Sequence, residues 1–336
     1  MARIGILTTA HIHTPDFIKR LKERPDVQVA AVWDPDAALA KKFAGELGAP
    51  DAASADKILG DPSIEAVVIT GTTAQHDGLV VAAARAGKHL FAEKPLATTA
   101  AEANRIFTAI KETGVLFQTG HFMRSNPIHR FIKREIDAGN LGTITRARHS
   151  NCHSGATSGW FDKDYRWFFQ KDQAGGGGFY DMGCHSVDIL VHFFGPIASA
   201  TAALAPKTIK YPQIDEYGEG LVKFKNGVLA TIAGGWVDVA NPITCLIAGT
   251  EGHLVVVSGK VFYTSKKTAI PGADGKQPID PAQFPAALPG PFDLFFDVLA
   301  GKQEKTCLIP IEDALNVCLS MDAMYQGDRL GQWVKV

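Results

Sequence analysis

The amino-acid sequence predicts an α/β Rossmann domain with a doubly wound parallel sheet, followed by an α+β domain with an open, mainly antiparallel sheet. Up to about residue 120, strand patterns alternate with helical patterns four times, which is typical of right-handed βαβ units. Beyond about residue 122, short strand patterns follow one another without helices between them, as in an antiparallel sheet. We therefore expect a first domain over 1–121 and a second over 122–336.

Short apolar runs mark the strands of the first domain. These runs are Ile4–Leu7, Val27–Trp33, Ala66–Thr70 and His89–Phe91. The helical patterns that follow them are Pro15–Arg24, Ala37–Leu47, Gly78–Ala86 and Thr99–Thr113. Because each strand is followed by a helix, the strands should lie parallel, and a ligand should bind beyond their carboxyl ends.

In the second domain, short strands and one strong hairpin signal dominate. Strands are predicted over Thr143–Ser150, Leu221–Phe224, Val228–Ile232, Leu246–Ala248, Leu254–Val257 and Val261–Tyr263. Asn226 and Gly227 separate two of these strands, and Asn-Gly favours a tight hairpin turn. The Pro- and Gly-rich stretch 271–291 predicts a loop, and closing helices are expected over Phe292–Leu299 and Ile311–Tyr325.

Composition excludes several classes of protein. The net charge is −1 over 336 residues, so nothing favours nucleic acid or an acidic membrane as a partner. The five cysteines are scattered, which indicates a reducing compartment without a disulfide framework or zinc site. The first strand pattern begins at Arg3 and no apolar run is long enough to span a bilayer. We therefore expect a cytoplasmic protein.

A run of four glycines, Gly175–Gly178, leads into a predicted helix that carries candidate acid/base residues. Asp181, His185, Asp188 and His192 recur at spacings that share one helix face, and the helix should end at Gly195-Pro196. A carboxylate beside a histidine suits proton transfer near neutral pH. Four ligands along one face are too spread out to converge on one ion, so no metal site is predicted. Hydrogen-bonded polar groups with a purely structural role are the remaining alternative.

Two features of the first domain suggest a dinucleotide. The turn after the first strand carries Thr8, Ala10 and His13 where a G-x-G-x-x-G turn has glycines, and small or hydroxyl side chains could still approach phosphate. Asp34 ends the second strand, where an acidic residue accepts hydrogen bonds from the adenosine ribose and repels a 2′-phosphate. NAD is therefore favoured over NADP. The alternatives are a helix cap without a ligand and a turn-forming aspartate before Pro35.

The fourth strand runs into Glu93-Lys94-Pro95. A lysine at the carboxyl end of a parallel strand can hydrogen-bond a substrate oxygen and assist proton transfer. A lysine that is merely solvated is the ordinary alternative.

Taken together, two motifs resemble the Gfo/Idh/MocA oxidoreductase family, which includes glucose-fructose oxidoreductase and inositol dehydrogenases. They are Glu93-Lys94-Pro95 and the pattern Gly-Gly-x-x-x-Asp-x-Gly-x-His over 176–185. The resemblance extends to residues 86–89, 249–252 and 312–314. It implies hydride transfer between a nicotinamide ring and a carbinol carbon of a sugar, cyclitol or related polyol. It also implies a homodimer or homotetramer.

The resemblance also implies roles for individual residues. Lys94 and His185 would be the catalytic pair, and Asp181 would orient or tune the site. Arg124, Asp181 and His185 would face the substrate. The positions that would line the cofactor are Thr8, Thr9, Ala10, His11, Asp34, Gly71, Thr72, Thr73, His76, Glu93 and Lys94.

Two other functions remain open at this point. A tightly held NAD could oxidise a sugar transiently and allow elimination or hydrolysis without net redox change. Alternatively, the chain could be a non-catalytic, ligand-sensing relative, since Thr8–His11 departs from the family's glycine-rich turn. The acid/base residues argue against a sensor, which has no need of proton transfer.

Overall fold

Strand pairing in the computed structural model, which describes all residues from Met1 to Val336, confirms the predicted fold class. Five parallel strands form the first sheet, in the order β2-β1-β3-β4-β5. They are β1 Ala2–Leu7, β2 Val27–Trp33, β3 Ala66–Ile69, β4 His89–Ala92 and β5 Phe117–Thr119. The strand order reverses between β1 and β3, and such a switch point is where open α/β sheets bind ligands.

The second sheet has eight strands in the order β12-β11-β10-β6-β9-β8-β7-β13. They are β6 Ile144–Cys152, β7 Ile197–Ala205, β8 Tyr217–Phe224, β9 Leu229–Gly235, β10 Ile243–Gly249, β11 Gly252–Val257, β12 Lys260–Ser265 and β13 Val334–Lys335. The β6–β9 pair is parallel and the other pairs are antiparallel. Asn226 and Gly227 form the predicted hairpin turn, and Gly227 adopts a φ of +92°.

Ten α-helices and four short 3₁₀ turns complete the chain. The helices are α1 Thr14–Lys22, α2 Ala37–Leu47, α3 Ala55–Leu59, α4 Thr73–Arg85, α5 Ala100–Thr113, α6 Pro127–Asp137, α7 Lys171–Ala174, α8 Gly178–Phe194, α9 Pro291–Leu299 and α10 Ile311–Leu330. The 3₁₀ turns are Met123–Ser125, Arg166–Phe169, Pro281–Gln283 and Lys305–Cys307. No helix combines the length and the apolar character that crossing a membrane requires.

Helix caps explain two differences from the sequence prediction. Helix α4 begins at Thr73 and not at Gly78, because Gln75 Oε1 accepts the Thr72 N–H at 2.8 Å and closes a capping box. Helix α6 begins after Asn126, whose side chain accepts the Ile128 N–H at 2.8 Å. No helix was expected there, although Asn-Pro is a helix-start signal.

The chain forms two compact units. The first contains Met1–Gly120, Asp162–Gly175 and Pro289–Leu315. The second contains His121–Phe161, Gly176–Leu288 and Asn316–Val336. Two segments that are distant from the N-terminus in sequence thus pack with the parallel sheet, and one of them holds the aromatic side chains before the glycine run.

Helix α8 is fixed in the second unit at its N-terminus by Asp215. The Asp215 carboxylate accepts the Gly177 N–H at 3.1 Å, the Phe179 N–H at 2.9 Å and the Tyr325 hydroxyl at 2.8 Å. The Asp215 carboxylate thus replaces the side-chain cap that Gly177 cannot supply. Burial raises the pKa of Asp215, although all three donors favour the carboxylate form.

The glycine run allows this close approach. A Cβ on Gly177 would lie 1.9 Å from the Asp215 carbonyl oxygen, and one on Gly178 would lie 2.2 Å from the Glu216 carbonyl oxygen. Gly176 has a similar constraint against Tyr180 and Tyr325. At these three glycines, the absence of a side chain therefore allows α8 to pack closely against its neighbours in the second unit.

We expect Gly178→Ala to lower the free energy of unfolding by about 1–3 kcal/mol, the usual cost of overpacking. Gly45→Ala in α2 is the matched control, because an added Cβ there meets nothing within 4 Å. That control should gain about 0.5–1 kcal/mol from a better helix former. Urea unfolding of both variants measures the difference, and equal stability of the two would contradict the packing role of Gly178.

Candidate functional site

The turn after β1 is strained and held by its own hydrogen bonds. Thr8 adopts a φ of +70°, which is rare and costly for a β-branched residue. Its hydroxyl donates to the Leu7 carbonyl oxygen and its N–H donates to the Trp33 carbonyl oxygen. On the neighbouring turn, a Cβ on Gly71 would lie 2.5 Å from Thr8 Oγ1, so only glycine fits there.

Asp34 organises the same turn from the end of β2. Its Oδ2 accepts the Thr9 N–H at 2.6 Å and the Thr9 hydroxyl at 2.8 Å, and its Oδ1 accepts the Asp36 N–H at 2.8 Å. The side chain is buried. Burial raises the pKa of Asp34, and the three donors oppose that shift.

Glu93 is a buried carboxylate among basic side chains. Its Oε1 lies 2.9 Å from His13 Nδ1, and its Oε2 accepts the Lys94 N–H at 2.5 Å. Burial alone would raise the pKa of Glu93, but its basic surroundings, including the hydrogen bond from His13 and the charge of Lys94, outweigh burial and bring the pKa below its ordinary value. The carboxylate is therefore ionised and compensated at neutral pH.

The cluster of His11, His13 and Glu93 also has the spacing of a metal site, because its ligand atoms lie within 4.8 Å of one another. However, His11 Nδ1 accepts the His13 N–H at 3.2 Å. A neutral His11 then carries its proton on Nε2 and presents a donor there, where a metal requires a lone pair. The hydrogen bond favours a compensated charge cluster over a set of metal ligands.

Lys94 is 3% exposed and precedes a cis peptide bond to Pro95. The fully buried His76 lies with Nδ1 3.0 Å from the Pro95 carbonyl oxygen. Since a carbonyl can only accept, His76 donates from Nδ1. Burial lowers the pKa of His76, which keeps it neutral. His76 thus supports the backbone of the loop that carries Lys94.

Segment 162–175 packs against the turn after β1, and the sequence did not predict this contact. Trp167 Nε1 donates to the Ala10 carbonyl oxygen at 3.0 Å. The rings of Trp167 and Phe168 lie 5.8 and 5.4 Å from the His11 ring, between centroids. Tyr165, Trp167, Phe168 and Phe169 precede the glycines in the sequence, but aromatic side chains alone do not indicate which residues they contact.

In the second unit, α8 presents its polar side chains within a buried environment. Asp181 Oδ2 accepts the Trp236 Nε1–H at 2.9 Å. His185 Nδ1 lies 3.3 Å from His121 Nδ1, and the Phe122 ring stands edge-on to His185 at 4.9 Å between centroids. His121 follows the short strand β5, and sequence reasoning missed it because its partner is 64 residues away.

Asp188, on the same face of α8, forms an ion pair with Arg124. Both carboxylate oxygens accept from Arg124, Oδ1 at 2.7 Å from Nη2 and Oδ2 at 3.1 Å from Nε. Asp188 is fully buried. Burial opposes ionisation, but Arg124 and then His121 hold the pKa of Asp188 below its ordinary value. Burial and Arg124 also lower the pKa of His192 to about 4.

The structure groups the predicted site residues by unit. At the carboxyl ends of β1 to β4 and the turns that follow, the first unit holds Thr8, Thr9, Ala10, His11, Asp34, Gly71, Thr72, Thr73, His76, Glu93 and Lys94. The second unit holds Arg124, Asp181 and His185. His13, His121 and Trp167 are additional residues that the structure brings to these two groups.

Comparisons with known proteins agree with this architecture. A model described as oxidoreductase family, NAD-binding Rossmann fold matches residues 2–121, and one described as GFO/IDH/MocA C-terminal domain matches residues 129–255. The 1,5-anhydro-D-fructose reductase of Ensifer adhaerens is 29% identical over 237 residues, which is 68% of either chain. The scyllo-inositol 2-dehydrogenase (NAD(+)) of Bacillus subtilis strain 168 is 27% identical over 263 residues, 76% of this chain and 72% of that one.

A solved structure shares the fold over the full length. Levoglucosan dehydrogenase in complex with NADH and L-sorbose superposes with a TM-score of 0.81 at 22% identity. The alignment covers 100% of this chain and 99% of that one.

The ion pair between Arg124 and Asp188 yields a stability prediction. Arg124→Met should lower the free energy of unfolding at pH 7 by about 3–5 kcal/mol, because it leaves a buried carboxylate unpaired. The double variant Arg124→Met/Asp188→Leu should recover most of that loss. Denaturant unfolding measures both, and a double variant no more stable than the single one would contradict this interpretation.

The pH dependence of stability provides a control. The pKa of Asp188 is depressed in the folded protein, so its stabilising contribution is present above the unfolded pKa and is lost as pH falls through the folded pKa. The double variant should lack this contribution to acid sensitivity.

Proposed function

Because the chain belongs to the Gfo/Idh/MocA oxidoreductase family, we propose that it transfers a hydride between NAD and a carbinol carbon of a sugar, cyclitol or related polyol. One observation carries the proposal: both family motifs are intact and form buried, hydrogen-bonded elements. Lys94 follows β4 beside the ionised Glu93, and His185 lies on α8 with its Nδ1 hydrogen-bonded. The substrates of the related reductase and dehydrogenase are consistent with a polyol or sugar.

The donor set of the first unit fits a dinucleotide. Asp34 follows β2 in the position of a ribose acceptor. Its Oδ1 accepts the Asp36 N–H, and a carboxylate oxygen can accept a second hydrogen bond. The hydroxyls of Thr8, Thr9, Thr72 and Thr73 lie at the turns after β1 and β3. When bound, NAD would supply the nicotinamide ring that accepts the hydride. The Thr8 and Thr9 hydroxyls already donate to the Leu7 carbonyl oxygen and to Asp34, so hydrogen bonds to the pyrophosphate would have to come from other groups of these turns.

The chain's own residues perform the proton chemistry in this proposal. In the oxidative direction, His185 accepts the hydroxyl proton of the substrate, and the Lys94 ammonium donates a hydrogen bond to the substrate oxygen. Asp181 and Arg124 support the substrate side in this proposal, as the resemblance to the family implies. The reaction converts the carbinol to a carbonyl, with one hydride and one proton leaving the substrate.

We expect turnover with NAD on members of a panel of sugars, cyclitols and sugar acids, followed by absorbance of the reduced nicotinamide. Lys94→Ala and His185→Ala should each lower kcat by about 10²- to 10⁴-fold, the usual contribution of an acid/base group. Lys57→Ala and His253→Asn, two exposed positions, are the matched controls. Turnover that survives both catalytic-site substitutions would overturn the assignment.

The same panel tests the two other functions. Chromatographic detection of product without net reduction of NAD would identify an NAD-assisted lyase or hydrolase. Thermal protection by NAD without turnover on any compound would identify a sensing protein.

Cofactor choice gives a separate prediction. Asp34→Asn removes the charge that disfavours a 2′-phosphate, so the ratio of kcat/KM with NADP to that with NAD should rise about tenfold. Asp36→Asn is the matched control: it removes a charge two residues away and keeps a good N-cap for α2. An unchanged ratio in Asp34→Asn would contradict the role of Asp34 at the ribose.

A further inference from the structure

We propose that His121 is a positioning residue for His185: its imidazole accepts the His185 Nδ1–H and thereby sets the tautomer that presents a lone pair at His185 Nε2. The role in catalysis rests on the proposed function, whereas the tautomer itself is a property of the folded chain. No motif of the sequence analysis includes His121.

The contact between the two rings requires a choice of donor. The two Nδ1 atoms face each other at 3.3 Å, and the rings are nearly perpendicular at 86°. Two lone pairs at this distance would repel, and two N–H groups would clash, so one ring donates and the other accepts. Both side chains are buried, at 3% exposure each, so bulk water does not readily replace this partner.

The proton that His185 has to accept in the proposed reaction decides which ring donates. His185 Nδ1 faces His121 Nδ1, so Nε2 is the nitrogen left to take the substrate proton. A base accepts a proton on a lone pair, so neutral His185 carries its own proton on Nδ1 and donates it to His121. His121 Nδ1 then carries the lone pair and accepts from His185 Nδ1.

The consequence is a base of defined orientation. With Nδ1 protonated, neutral His185 has its lone pair on Nε2. When the substrate hydroxyl breaks its O–H bond, the proton binds Nε2 and His185 becomes an imidazolium. The imidazolium keeps its Nδ1–H hydrogen bond to His121. The reverse reaction returns the same proton to the carbonyl oxygen.

Other charged or titratable groups of the second unit lie around this pair. Arg124 neutralises Asp188, and Asp181 accepts from Trp236. His192 and His129 both interact electrostatically with Asp188, and burial lowers the pKa of each to about 4, so both are neutral near pH 7. The Arg124–Asp188 ion pair is compensated and both of these histidines are neutral, so none of them adds an uncompensated charge near the neutral His121–His185 pair.

The direct test is the tautomer of His185 by ¹⁵N NMR of histidine-labelled protein without substrate. The His185 signal is assigned by its loss in H185N. We expect an Nδ1–H, Nε2-lone-pair tautomer in the wild type and in H121N, whose amide oxygen can accept the same hydrogen bond. In H121L the acceptor is absent, and the Nε2–H tautomer should become the major form. A wild-type His185 protonated on Nε2 overturns the proposal.

Kinetic measurements distinguish the positioning of His185 from a merely structural role of His121. H121L should lower kcat about tenfold or more with little change in KM, and the acidic limb of the kcat/KM profile should shift to lower pH, because imidazolium is less stabilised. H121N should retain most of kcat. Equal losses in H121L and H121N, with an unshifted pH profile, would overturn the positioning role. Should the wild type turn over no substrate, the proposed function fails while the NMR result still decides the tautomer.

Discussion

The cap that Asp215 forms on α8 is the interaction on which the second unit depends. Helix α8 begins with glycines that can supply no side-chain cap, and the carboxylate of Asp215 accepts two of its first N–H groups. The backbone of 215–216 approaches so closely that a Cβ on Gly177 or Gly178 would clash. The position of α8 against its own sheet is therefore set at one end, by hydrogen bonds and by contact at the same place.

The fixed position of α8 matters because three side chains of its polar face depend on it together. Asp181, His185 and Asp188 lie on that face, and each has a partner outside α8: Trp236, His121 and Arg124. A small rotation of α8 would break all three contacts together. Since two of the partners come from the segment directly after β5, the helix and that segment have to fold as a pair before His185 has a defined orientation.

The sequence predicted what depends on local pattern. The shared face of Asp181, His185 and Asp188 follows from helical spacing, and the place of Lys94 after β4 follows from the strand pattern before it. Asp215, His121 and Trp167 could not be predicted, because their partners lie 36 or more residues away and no periodicity links them. Strand β7 was missed for a local reason: its alanines favour a strand weakly, and pairing with β8 overrides that preference.

The turn after β1 shows how hydrogen bonds of side chains can hold a backbone conformation that glycine usually adopts. Thr8 holds a backbone conformation that glycine would adopt without strain, and its N–H is already bonded to β2. Thr9 is held by Asp34, so the residue expected at the ribose also stabilises the turn. Because the Thr8 and Thr9 hydroxyls donate to the Leu7 carbonyl oxygen and to Asp34, they stabilise the turn itself and have no proton left for a ligand. The conformation of this turn therefore depends on side-chain hydrogen bonds, whereas glycine adopts such a conformation without them.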